Sequence, residues 1–146
     1  MNKELVGKVN EYLANLSVEY IKLHNLHWNV VGLNFKATHE YLESLYDDTA
    51  DALDEVAELL RKNGESPLAS MKDYMAFATI KELESKEVTI KDALTTVYAD
   101  FETLNEQACA IRTMAEQAND FATANVMENY MSDYSKKLWF MKSMLK

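Results

Sequence analysis

Leu5-Val6-Gly7-Lys8-Val9-Asn10-Glu11-Tyr12-Leu13-Ala14-Asn15-Leu16-Ser17-Val18-Glu19-Tyr20-Ile21-Lys22-Leu23-His24-Asn25-Leu26-His27 sets apolar or aromatic side chains at Leu5, Val9, Tyr12, Leu16, Tyr20 and Leu23, in steps of three or four that end on His27. A turn of 3.6 residues brings such positions onto one face, so the segment predicts an amphipathic helix with its stripe buried. His27 lies on that stripe, where an aliphatic side chain is the ordinary occupant. Tyr12 and Tyr20 read as core residues with their hydroxyls satisfied.

Downstream, Gly32 ends this helix, and Asn34 before Phe35 is the expected N-cap of a second one reaching Arg61-Lys62-Asn63-Gly64, whose basic pair suits the negative end of the helix dipole. The segment from Glu65 to Val88 holds the only proline, Pro67, and a short helical pattern near Ser70 to Phe77. It reads as a connection. Thr89 with Asp92 resembles a capping box and opens a third long helix with stripe Leu94, Val97, Phe101, Leu104, Ala108, Ile111 and Ala115. Asn119 or Asp120 starts the fourth, with stripe Ala124, Met127, Met131, Tyr134, Leu138, Met141 and Leu145. The eight methionines read as packing residues on stripes and helix ends.

Four helices of roughly 25 to 29 residues, each about 40 Å long, must bury their stripes against one another. That is an all-α four-helix bundle. Short turns join the first and last pairs, while the middle connection is long enough to travel the bundle's length, the pattern of a ferritin-like crossover carrying a short extra helix. Three glycines and one proline in 146 residues oppose an all-β fold, and the length suits one domain over residues 1–146. The single cysteine, Cys109, forms no internal disulfide and is expected as a buried thiol in a reducing compartment. The N-terminus shows no apolar leader and no run approaches membrane-spanning length, so the expectation is a cytoplasmic protein. A formal charge of −9 opposes direct binding to a phosphate backbone, and neither terminus carries a basic tail.

All three histidines, His24, His27 and His39, fall within sixteen residues. On the second helix His39 and Glu43 share a face, as do Asp54 and Glu58, beside the stripe Leu42, Thr49, Leu53, Val56 and Leu60. The two pairs stand roughly 16 Å apart along the helix axis, too far to close on one ion. Two copies with these helices antiparallel about a twofold near Asp48 and Thr49 would bring His39 and Glu43 of one against Asp54 and Glu58 of the other, with Ala50 and Ala52 leaving room for the approach. His27, just before the turn, completes the set as a fifth ligand. Two imidazoles and three carboxylates suit Fe(II), Mn(II), Co(II) or Zn(II) better than calcium and accommodate Fe(III).

The run Lys22-Leu23-His24-Asn25-Leu26-His27-Trp28-Asn29-Val30, then Gly32, Asn34-Phe35, Thr38-His39-Glu40 and Asp54-Glu55-Val56-Ala57-Glu58, resembles the signature of Dps, the DNA-binding protein from starved cells. The resemblance implies a shell of twelve subunits, a homododecamer, with ferroxidase sites at its dimer interfaces. Such a shell oxidises Fe(II) preferentially with hydrogen peroxide, stores the ferric mineral inside and protects against oxidative damage. It implies His27 and His39 as histidine ligands, Asp54 and Glu58 as the partner's carboxylates, and Glu43 where Asp is more usual. Trp28 resembles the family's tryptophan near the iron site, for which packing is the first reading and a redox role the second; Trp139 resembles another near the end of the last helix. Glu116 and Asp120 resemble acids lining an iron-entry pore, with Asn125 where the family often carries Asp.

Carboxylates four apart are commonplace on solvated helices, and only their combination with buried histidines points to metal. His24 stands outside the ligand set in a structural or supporting role. An intra-bundle di-iron oxidase would need Glu-x-x-His motifs, and no histidine here has Glu three residues before it. The remaining alternatives are a DNA-coating nucleoid protein of the same family and a metal-free helical scaffold.

Overall fold

A computed structural model describes all residues 1–146. Helix α1 spans Lys3–Asn29, capped by the Asn2 side chain on Leu5 N–H. It is followed by a two-residue strand β1, Val30–Val31, and by α2, Phe35–Lys62. The short α3, Met71–Phe77, starts at Ser70, whose hydroxyl accepts from Asp73 N–H. Strand β2, Val88–Thr89, leads into α4, Ile90–Gln117, and α5 covers Phe121–Met144. The four long helices have 27, 28, 28 and 24 residues, so the last is slightly shorter than the stripes predicted.

The chain is an all-α, ferritin-like four-helix bundle with its extra helix α3 in the crossover. Helix α1 packs on α2, α4 and α3, and α4 packs on α5. One element was not foreseen: β1 pairs in parallel with β2, Val30 opposite Val88 and Val31 opposite Thr89. The bridge pins the end of the crossover to the α1–α2 turn, so the connection does run from one end of the bundle to the other. Gly32 turns with φ 129°, a conformation that strains any residue with a Cβ, directly over the Ile90 side chain.

Core burial follows the stripes of α4 completely, and on α5 Ala124, Met127, Tyr134 and Met141 are buried. Along α1 the pattern departs from expectation. Every residue from 12 to 19 is buried, because α1 is covered on several sides, and Glu19, not Tyr20, reaches full burial. Tyr20 is half-buried.

Other expectations are corrected. Asn34 does not cap α2 with its side chain; it turns the backbone through a left-handed φ of 68°, which asparagine tolerates. Ala52 belongs to the core and cannot line a gap between two α2 helices. Cys109 is exposed, one position past the buried Ala108 of the α4 stripe. Met71, Met75 and Met144 are exposed as well, so methionine packing holds for only part of the set. Asp120, rather than Asn119, caps α5, and Thr89 caps α4 as predicted. No helix is long and apolar enough to cross a membrane.

Candidate metal centre

The α1–α2 turn folds the end of one helix beside the start of the next, and this brings His27 against His39. Their imidazoles stack at 3.6 Å with 12° between planes. His27 Nδ1 lies 2.7 Å from the His39 carbonyl, and His39 Nδ1 lies 2.7 Å from the His27 carbonyl. A carbonyl only accepts, so each Nδ1 must carry the proton, and each neutral ring keeps its lone pair on Nε2. The histidine that metal binding requires is therefore prepared twice, with the backbone serving as the outer partner that usually orients a ligating imidazole.

Glu43, one turn along α2 from His39, places Oε1 4.0 Å from His27 Nε2. That gap is less than two metal–ligand bonds of about 2.1 Å, so one ion can touch both. His27 is almost wholly buried, whereas the Glu43 side chain is 53% exposed. Phe35 covers His39 at 5.0 Å between ring centroids.

Asp54 and Glu58 stand about three turns further along α2, both exposed, and do not join this group. Within one chain no three His, Cys, Asp or Glu side chains gather closely enough to hold a metal ion. Alongside the two pairs, Tyr46, Ala50, Leu53 and Ala57 form a half-exposed apolar row on α2. Trp28 is 69% exposed, so packing within its own chain does not account for it. Trp139 is exposed at the far end of α5. Glu116 is held by Arg112 at 2.6 Å, and Asp120 accepts from Thr123 N–H and its hydroxyl, so both acids have local partners.

Two groups escaped the sequence reading. Tyr46 donates its hydroxyl to Glu43 Oε1 at 3.2 Å, and it could have been found, because it lies three residues from Glu43 and seven from His39 on one face. Its titration is raised by desolvation and next by the Glu43 carboxylate, which keeps it a donor. The second group is the buried trio Glu19, Lys22 and Asp100. Lys22 Nζ sits 2.8 Å from Asp100, while both Glu19 carboxyl oxygens lack a donor. Burial, then the neighbouring Asp100, push Glu19 well above the usual carboxylate range.

The ferritin-like domain family model matches residues 6–146. General stress protein 20U of Bacillus subtilis is 36% identical over 146 residues, covering 99% of each chain. The crystal structure of antigen TpF1 from Treponema pallidum superposes with a TM-score of 0.96 at 35% identity, covering 98% of this chain and 92% of that one. A Dps protein from Bacillus brevis gives 0.93 at 33% identity, with both chains covered completely.

Proposed function

Because the chain belongs to the Dps family of the ferritin-like superfamily, which is associated with iron oxidation and storage and with DNA protection, we propose that it is an iron-storing ferroxidase whose sites are shared between two subunits. The observation that carries this reading is the reciprocal lock of His27 and His39, which leaves the Nε2 of each ring free, that of His27 4.0 Å from Glu43 Oε1. A purely structural histidine pair would gain nothing from having both outer nitrogens kept free for a cation.

Three donors from one chain leave the set short of carboxylate, and Asp54 and Glu58 supply it from a twofold partner. The apolar row Tyr46, Ala50, Leu53 and Ala57 alongside the two pairs gives the partner α2 a surface to bury, which supports an isologous contact. Ala50 takes the close-approach role that Ala52 cannot. Twofold dimers build the homododecamer, with ferric mineral stored inside and the assembly working in the cytoplasm.

Iron is the substrate. Two Fe(II) ions each give up one electron, and one hydrogen peroxide takes both together with two protons from solvent and is reduced to two waters, so no hydroxyl radical is released. Zn(II), Co(II) and Mn(II) fit the same mixed nitrogen and oxygen donors. Removal of Fe(II) together with peroxide protects DNA without contact, which accords with the charge of −9.

The test mixes variants. His39→Ala and Asp54→Ala, each assayed for peroxide consumption on Fe(II) loading, lose rapid oxidation. Refolded together in equal amounts they recover roughly a quarter of the wild-type rate, since half of random dimers are mixed and each mixed dimer has one intact site of two. Wild-type rates in both variants, or no recovery on mixing, would overturn the shared site.

A further inference from the structure

Tyr46 is mounted by α1 on three sides. Its ring stacks flat on His24 at 3.8 Å and 20°, meets Tyr20 edge-on at 6.3 Å and 83°, and meets His27 edge-on at 5.2 Å and 87°. Tyr20, His24 and His27 are spaced four and three along α1, one per turn of a single face. His24 is itself fixed, since its Nδ1 lies 2.8 Å from the Tyr20 carbonyl. The phenol oxygen therefore has one place to be, and from there it reaches Glu43 Oε1.

Glu43 needs such a partner. Its carboxylate is more than half exposed and hangs on a long, freely rotating stem, so without a tether it would spread over several rotamers. We propose that Tyr46 is a positioning residue for the iron site: its hydroxyl holds the Glu43 carboxylate beside His27 Nε2, with His24 and Tyr20 as its mount. This rests on the reading of His27, His39 and Glu43 as ligands. One hydrogen bond occupies one lone pair of Oε1 and leaves its other lone pair, facing His27 Nε2, together with Oε2 for the ion, so the tether orients the ligand without consuming it. It also gives His24 a task other than ligation.

The test uses Co(II), whose visible d–d bands report coordination, titrated into purified full-length protein. Tyr46→Phe keeps the ring and its stacking and removes only the hydroxyl. Co(II) binding then weakens by about tenfold or more, the usual cost of losing an outer-shell partner, while melting temperature and assembly size stay at wild-type values. Glu43→Asp shortens the stem so that the carboxylate no longer meets the hydroxyl, so in that background Tyr46→Phe adds no further loss. Wild-type affinity and bands in Tyr46→Phe would overturn the positioning role, as would an undiminished Tyr46→Phe effect in Glu43→Asp. If wild-type protein itself shows no Co(II) bands that His27→Ala abolishes, the ligand reading fails first and the tether fails with it.

Discussion

The rings of His27 and His39 each donate to the other residue's backbone carbonyl, 2.7 Å in both directions, so neither ring is oriented by a side chain that mutation could remove. This differs from the common carboxylate–histidine arrangement, in which the orienting group is itself replaceable. Nitrogen NMR of histidine-labelled, metal-free protein is expected to show both residues as the Nδ1–H tautomer. In His39→Ala the carbonyl of residue 39 remains, so His27 keeps its tautomer while metal affinity falls by tenfold or more. A protonated Nε2 on either ring in wild-type protein would remove the structural basis of the site.

Lys22 and Asp100 form an ion pair with both partners nearly out of solvent, side-chain exposures being 5% and 13%. Breaking such a pair from one side leaves a buried charge without compensation and costs about 3–5 kcal/mol. Lys22→Met is therefore expected to lower the urea midpoint sharply, whereas substitutions at the exposed Lys36–Glu40 pair shift it little. Equal effects from the two would mean that Lys22 is hydrated in solution.

Asn15 ties the crossover to the bundle. Its Oδ1 accepts from Thr79 and Ile80 N–H at 2.8 and 2.9 Å, and its Nδ2 donates to Thr79 Oγ1 and Gln107 Oε1 at 2.9 Å each. Asn15→Ala orphans two backbone donors, at about 1–3 kcal/mol apiece. Limited proteolysis should then nick residues 65–88 faster, with helical content retained. Asn15→Asp keeps the acceptor and should be milder; equal cleavage of Asn15→Ala and wild type would show that the β1–β2 bridge alone secures the strap.

The four long helices were legible because burial on one face writes a period of 3.6 into each, and the caps at Thr89 and Asp120 because hydroxyl and carboxylate chemistry at a helix start is local. What escaped depends on more than one helix. Glu19 and Tyr20 exchange places because α1 has several neighbours, which one stripe cannot encode. Ala52 turned inward for the same reason: periodicity says which residues share a face, and tertiary packing says which face is the core. Asn34 fitted the cap pattern, yet the turn took the left-handed conformation that asparagine also allows. At the site, spacing named His27, His39 and Glu43 as neighbours, but the reciprocal carbonyl contacts arise from the approach of two backbones and leave no residue signature.

Glu19 has no exposed surface; its carboxyl lies against Asp100 of α4 and within electrostatic reach of Lys22 on α1 and Tyr134 on α5. Two carboxylates against one ammonium leave one negative charge too many, and the absence of a third His, Cys, Asp or Glu nearby disfavours a metal as the balancing cation. A proton remains, carried by Glu19 and shared with Asp100. Because burial raises the folded-state affinity of Glu19 for that proton above its unfolded value, the folded state holds more protons than the unfolded one above the ordinary carboxylate range. Its contribution is fully present in acid and declines as pH rises toward the folded pKa. Glu19→Gln mimics the protonated acid and can still donate to Asp100, so it should flatten this decline. Its melting temperature should match wild type in mildly acidic buffer and exceed it in mildly alkaline buffer, with each 1 kcal/mol worth roughly 2–4 °C in a chain of this size. A variant less stable than wild type at both would show that Glu19 is ionised and paired with Lys22 instead.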